Sequence, residues 1–314
     1  IMASPASTFH TYDVIGRRED LSDIIYNVSP TDAPFITSIP ATKARQVLHE
    51  WQTDTLTAAA TNAVLEGDDA TTDAVTATTR LSNTCQISDK VPRVTGTTEV
   101  VEKAGRNSEL AYQVVKMTKE LRRDMEFDAI GSNNAEVTGE STVAREYGNM
   151  CAWIDTNTSI GSGGADGSLG NTARTDGTAR AFTEDLLKTV IRLCFSNGGD
   201  PDYIMVGPFN KQVLSGFTGN ATRMKDADDK RLVASIDLYQ SDFGDLEVIP
   251  NRFSRDRDCW LVQKNMAALA YLRPVGMTNL AKTGDSERRQ VLVEYTLEVR
   301  NERAHGLVAD LTTS

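Results

Sequence analysis

Apolar residues recur with a helical period in a few places, alternate in several others, and are nearly missing from two long stretches. Leu21, Ile24, Ile25 and Val28 fall at i, i+3, i+4 and i+7, which predicts a short helix that Ser29-Pro30 ends. A second turn opens at Pro34, a residue suited to the first helical position, and carries Phe35, Ile36 and Ile39 before Pro40 stops it. The first forty residues thus hold apolar stripes but no core of their own. They read as an arm laid on something else.

From Arg45 to Leu56 the chain alternates, with Val47, His49, Trp51 and Thr53 on one face and Leu48, Glu50, Gln52 and Asp54 on the other. This predicts a strand polar on both faces. Residues 58–73 are rich in Ala, Thr and Asn and hold the acids Glu66, Asp68, Asp69 and Asp73, and a Thr-rich, β-prone segment follows from Val75 to Val94. A long hairpin with so few large apolar side chains is marginal alone in water, so neighbouring molecules are expected to order it.

The clearest helix is predicted over 108–130, where Leu110, Val114, Met117, Leu121 and Met125 make one stripe. Ser108 can cap it, Glu109 suits the positive end of its dipole, Gly131 stops it, and Arg122 with Glu126 reads as a pair on the solvated face. At ~1.5 Å per residue it would span roughly 33 Å, a spine lying against a sheet. Residues 161–177 are rich in Gly, Ser, Asp and Asn, the punctuation of a flexible loop, either a surface insertion or an interdomain connection.

Beyond that loop helices and strands intermingle. Thr183 caps a helix with Leu187, Val190, Ile191 and Cys194 on one face, ended by Gly198-Gly199, and Pro208 opens another with Phe209, Val213, Leu214 and Phe217. Strands are predicted at 203–206, 236–239, 246–249, 260–262, 267–272 and 290–300, the last alternating Val291, Val293, Tyr295, Leu297 and Val299 with polar partners.

Composition narrows the class. Of 314 residues 39% are hydrophobic and 25% charged, which excludes a disordered, collagenous or disulfide-stapled chain. No apolar run approaches the roughly 18 residues of a membrane span, and the N-terminus lacks the pattern of a signal peptide, so a soluble, cytosolically made chain is expected. Forty-four acids against 33 bases give a net charge of −11, which disfavours a general nucleic-acid surface. Four scattered cysteines are expected to be free and buried.

Catalytic chemistry is not visible. His10, His49 and His305 share no metal-ligand spacing and read as surface or interface residues, and no nucleophile elbow, phosphate-binding loop or dinucleotide fingerprint occurs. No catalytic residue, metal ligand or cofactor is assigned. The acids at 66–73 lack the register of a calcium loop. Arg223, Lys225, Lys230 and Arg231 are interleaved with Asp226, Asp228 and Asp229, a pattern suited to salt bridges between copies or to a mixed solvated loop.

A resemblance then covers residues 17–311. The segment from Arg18 to Phe35, the run His49-Glu50-Trp51-Gln52-Thr53-Asp54, and Glu66-Gly67-Asp68-Asp69 look like the N-terminal half of a major capsid protein of tailed bacteriophages. Ser241-Asp242-Phe243-Gly244, Val248 to Arg252, Leu272-Arg273-Pro274, Leu280 to Glu287 and Thr296 to Ala304 resemble the same family in the same order. The resemblance implies the Hong Kong ninety-seven type shell fold, of class α+β. Its parts would be an N-terminal arm (1–44), an E-loop hairpin (45–95), a peripheral domain (96–182 and 273–314, spine helix 108–130) and an axial α/β domain (183–272).

The implied function is self-assembly, through hexamers and pentamers, into an icosahedral head enclosing phage DNA. Expected hairpin contacts between subunits are His49, Glu50, Trp51, Glu66, Asp68, Asp69 and Arg80. Leu21, Ile24, Ile25 and Phe35 would anchor the arm, and Arg223, Lys225, Asp228, Asp229, Lys230 and Arg231 would meet their copies. Expected partners are the chain itself, a portal protein, scaffolding and decoration proteins, and packaged DNA through weak non-specific contact, with no membrane. Such a protein is made in the host cytoplasm and ends in the virion. A cellular nanocompartment shell, an α/β enzyme using Glu184 with Asp185, and a minor head, portal or tail protein are the alternatives.

Overall fold

The computed structural model describes residues 30, 32–69, 72–103, 105–217 and 237–314. The predicted helix at 21–28, with Leu21, Ile24 and Ile25, and the charged loop with Arg223, Lys225, Asp228, Asp229, Lys230 and Arg231 lie outside the described residues.

Two sheets share one core. In the five-stranded sheet β1 (Ala41–Lys43) runs parallel beside β11 (Ala267–Asn279), and β11 pairs antiparallel with β12 (Ser286–Val299). The other edge of β12 takes β4 (Gln86–Lys90) and β5 (Arg93–Thr95). The six-stranded sheet runs in the order β6 (Thr158–Ser159), β13 (Gly306–Val308), β10 (Cys259–Val262), β7 (Tyr203–Val206), β9 (Gly244–Pro250), β8 (Leu238–Ser241).

The central strands β7 and β10 are buried at every position because both their faces are covered. Their period of two sends Tyr203, Met205, Trp260 and Val262 into the core shared with the five-stranded sheet. It sends Ile204, Val206, Cys259 and Leu261 into a second cluster under α5 (Glu184–Ser196) and α6 (Pro208–Ser215). α5 buries the four residues its spacing singled out, Leu187, Val190, Ile191 and Cys194, but Thr183 at its N-cap position makes no side-chain capping bond.

The long helix α3 (Glu109–Glu126) starts where Ser108 accepts a hydrogen bond from Ala111 N at 3.2 Å. Leu110, Leu121 and Met125 are buried, and Val114 and Met117 half-buried. The helix closes with one π turn, Phe127–Gly131, that buries Ala129 and Ile130. At Gly131, the last residue of that turn, a Cβ would collide with Phe253 O, so the close approach of the two backbones requires glycine. All four cysteines are buried and free.

Several expectations change. Glu126 is buried, not solvated, because its carboxylate is used by a different helix. His305 is fully buried, not at the surface, between Gln263 and Met266. The glycine-rich residues 161–177 lie at the surface, exposed at many positions, but are anchored at several points: Gly170, at φ +79°, lies against the ring of Trp153, and Arg174 is buried. In α6 Leu214 and the polar Asn210 are buried, while Phe209 and Val213 are half-buried. β11 extends beyond Leu272 to Asn279, exposed from Arg273 on, with register shifts around Pro274, whose missing N–H interrupts the ladder.

Candidate assembly surfaces

The hairpin pairs β2 (Leu48–Thr53) with β3 (Thr79–Thr84). One face of β2, carrying His49, Trp51 and Thr53, is half-buried, and the other is exposed. Trp51 lies 5.3 Å from the ring of Trp153 and donates its indole N–H to Val299 O at 2.9 Å. His49 Nε2 donates to Glu298 Oε2 at 2.9 Å, and Arg300 Nε to Glu298 Oε1 at 2.9 Å. Burial raises the Glu298 carboxyl, but the His49 and Arg300 donors outweigh it and hold the group at about 2. On β3, fully buried Asn83 donates to Gly148 O at 2.9 Å and Leu297 O at 2.8 Å, and accepts from Gly148 N.

The root of the hairpin is therefore fixed to its own chain, and the expected contacts His49 and Trp51 are engaged there. Glu50 and Arg80 face outward as an exposed pair 3.4 Å apart, of a kind worth roughly 0–1 kcal/mol.

Beyond Thr53 the hairpin changes character. Every described residue from 54 to 78 is exposed, including Glu66, Asp68 and Asp69. Leu56 is 98% and Val75 96% exposed. The hydrogen bonds here are local: Thr55 N to Asp54, Asp69 N to Asp68, and Thr78 to Gln52. The tip holds uncovered apolar side chains on a base hydrogen-bonded to its own chain.

The arm joins the body through α1 (Pro34–Ser38), whose N-cap position is Ala33, a residue with no capping side chain. Helix starts leave backbone N–H groups without partners. Here Glu126 of α3 supplies the acceptor: Phe35 N donates at 2.8 Å and Ile36 N at 2.9 Å, while Asn251 Nδ2 donates at 2.6 Å. Burial raises the Glu126 pKa and these donors oppose it. Phe35 itself is fully buried in the shared core, Arg122 donates to Thr37 Oγ1 at 2.9 Å, and Ser38 and Tyr203 share a hydrogen bond of 2.7 Å. Of the expected arm anchors, Phe35 is seated in its own chain.

A buried ionic cluster escaped sequence reasoning. Arg174, fully buried, reaches Asp258 at 3.1 Å and Asp310 at 2.7 Å. Arg255 and Arg257 close the ring through Asp176 at 2.7 and 3.0 Å. Asp310 also accepts from Gly161 N and Gly177 N, tying the glycine loop to the C-terminal segment. The only cue in the sequence is the run Arg255-Asp256-Arg257-Asp258, which resembles a solvated loop. Glu184 and Asp185 lie in the first turn of α5, where Glu184 pairs with Lys188 at 2.9 Å.

Comparison with known proteins places this architecture. The family model described as SU10 major capsid protein matches residues 5–312. The major capsid protein of Escherichia phage Phieco32 is 25% identical over 345 residues, covering 98% of this chain and 97% of that protein. Among solved structures, the capsid of cyanophage A-1(L) superposes with a TM-score of 0.65 at 12% identity, over 97% of this chain and 99% of that one. The capsid of a native GTA particle gives 0.63 at 11% identity, over 99% and 100%. The SrpI encapsulin of Synechococcus elongatus gives 0.58 at 8% identity, over 95% and 93%. These likenesses show the Hong Kong ninety-seven type shell fold, and the chain belongs to the SU10 major capsid protein family, the structural proteins that form phage heads.

Proposed function

We propose that this chain assembles through hexamers and pentamers into an icosahedral head that encloses phage genomic DNA, working as a structural protein and not as an enzyme. Residues 1–44 act as the arm, 45–95 as the E-loop hairpin, 96–182 with 273–314 as the peripheral domain, and 183–272 as the axial domain. The observation that carries the reading is the hairpin, fastened at its base by Trp51, His49 and Asn83 and uncovered over 54–78. A segment that buries nothing in its own chain gains its order from a neighbour, and many such modest contacts add up in a closed lattice.

In this reading Glu50, Glu66, Asp68, Asp69 and Arg80 meet adjacent subunits, while His49 and Trp51 set the angle at which the hairpin leaves the body. Leu21, Ile24 and Ile25 extend the arm from the Phe35 anchor. Arg223, Lys225, Asp228, Asp229, Lys230 and Arg231 contact their copies around the capsomer centre. A portal protein, scaffolding and decoration proteins complete the head, synthesis takes place in the bacterial cytoplasm, and DNA is held only by weak non-specific contact, as the net charge of −11 favours.

Negative-stain microscopy with light scattering on the purified native material tests this. Closed icosahedral particles of megadalton mass that contain DNA are expected, and discrete capsomers also support the reading. A small oligomer at every salt and pH overturns it. Particles filled with a protein in place of DNA would instead favour a nanocompartment, the use suggested by the fold shared with encapsulin.

A further inference from the structure

Residues 161–177 are held at two places that belong to different parts of the molecule. At the first, Gly167 and Gly170 lie so close on the short helix Met150–Trp153 that a Cβ would collide with Ala152 Cα or with the ring of Trp153, and Gly170 N donates to Ala152 O at 2.9 Å. That helix carries the hairpin. Trp153 packs on Trp51 of β2 and donates its indole N–H to Gly148 O at 3.0 Å, and Gly148 both donates to and accepts from Asn83 of β3. At the second, Gly161 N and Gly177 N each donate to Asp310 at 2.9 Å, and Arg174, from within the loop, reaches Asp310 and Asp258. Asp258 directly precedes β10 and Asp310 follows β13, neighbouring strands of the six-stranded sheet.

The backbone is strained at both grips. Leu169 and Asp310, at φ +47° and +59°, are the non-glycine residues with positive φ among the described residues, and one lies at each grip. An L residue adopts such a backbone only where its surroundings impose it. Leu169 is 42% exposed, so burial of its own side chain does not account for the strain.

We infer that residues 161–177 are a clasp that couples the hairpin root to the six-stranded sheet, so that a change in hairpin angle shifts the seating of β10 and β13. The clasp lies within one subunit, and its test is independent of the shell reading. Within that reading, a neighbour that engages the hairpin tip also loads the sheet.

Hydrogen exchange in the full-chain subunit tests the coupling from each end. Asp310→Asn keeps the shape of a side chain that bonds to no hairpin residue and removes its charge. It should speed exchange in the β2–β3 ladder about tenfold and leave β8 and β9, at the far edge of the six-stranded sheet, within about twofold of the parent. Coupling is reciprocal, so Trp51→Ala should speed exchange of the Gly161 and Gly177 amides by a similar factor. Leu169→Gly, which accepts the positive φ and slackens the loop, should shrink the response of the hairpin to Asp310→Asn to within about twofold. Arg257→Gln removes a half-buried partner of Asp310 at 2.9 Å and asks the same question more gently, with about threefold faster exchange at the hairpin root; it decides the matter if Asp310→Asn does not fold. Hairpin amides that do not respond, equal loosening of β8 and β9, Gly161 and Gly177 amides indifferent to Trp51→Ala, or a response undiminished by Leu169→Gly overturns the inference.

Discussion

Arg174 shows how much a single side chain can hold. Its guanidinium has no exposed surface and bridges Asp258 and Asp310, themselves without exposure, while Asp310 adopts φ +59° to present both oxygens to the glycine loop. Burial raises the Asp258 pKa, and Arg174 and Arg255 oppose that rise. Removing one partner of a buried ion pair leaves the other charge unpaired in a poorly polarisable interior, at a cost of about 3–5 kcal/mol. Arg174→Met should therefore lose stability of that order in urea unfolding of dissociated subunits, and a loss below about 1 kcal/mol would show that water reaches the cluster. His305 carries a different residue-scale consequence. Its Nε2–H donates to Met266 O at 3.2 Å and its Nδ1 accepts from Gln263 N at 3.3 Å, the pattern of a neutral ring, and burial holds its pKa down to about 4 from 6.5. As pH falls, the unfolded chain takes this proton first. The histidine's contribution is thus complete above pH 6.5 and declines towards pH 4, by an amount on the order of 3 kcal/mol. Urea midpoints measured across that window should lose most of this slope in His305→Gln. Neither residue was legible beforehand: Arg174 sits in a glycine-rich tract and His305 between Ala304 and Gly306, where no periodicity announces burial.

At the scale of elements, regular patterns were readable and borrowed partners were not. The stripe of α3, Leu110 to Met125, repeats over about four turns, and Ser108 caps it as expected. α5 likewise buries its spaced Leu187, Val190, Ile191 and Cys194. Glu126 misled because i, i+4 spacing to Arg122 describes a helix alone, whereas its carboxylate serves the start of α1, ninety residues away in the chain. The poor cap Ala33 was the available cue that an outside acceptor was needed. Glu126→Ala would strip the partner from two backbone amides and from Asn251, at about 1–3 kcal/mol for each buried group left unpaired. Hydrogen exchange should find the Phe35 and Ile36 amides opening about tenfold faster or more, with β7 and β10 protected as before. Equal protection of those two amides would mean that Phe35 burial alone holds the arm root. The second half of β11 was missed for a related reason, since its exposed residues have no apolar alternation of their own and are held by pairing with β12.

For the whole molecule, the two-sheet body and the hairpin obey different rules. The body closes on itself because strands with a period of two feed side chains into two cores at once, and continuous apolar runs such as Tyr203–Val206 made those strands visible in advance. The resemblance to phage shell proteins agreed in order along almost the whole chain, and the architecture bears it out. The hairpin tip leaves Leu56 and Val75 almost wholly exposed and carries five acids with no Lys or Arg between Asp54 and Thr79, the features on which the assembly proposed above rests. This separates stability from assembly in a measurable way. Replacing residues 56–76 by a short Gly-Ser turn keeps both strands of the β2–β3 ladder and the Trp51, His49 and Asn83 anchors. Nothing buried is removed, and shortening a loop changes closure entropy by only ~1 kcal/mol, so the thermal midpoint of the isolated subunit should move by no more than a few degrees. Particle formation, followed by sedimentation and light scattering, should fall to a small fraction of the parent's. A large drop in the subunit midpoint would place the tip against its own body, and normal particles would show that the lattice closes without it; only a stable subunit that no longer closes a shell fits a segment whose buried surface belongs to its neighbours.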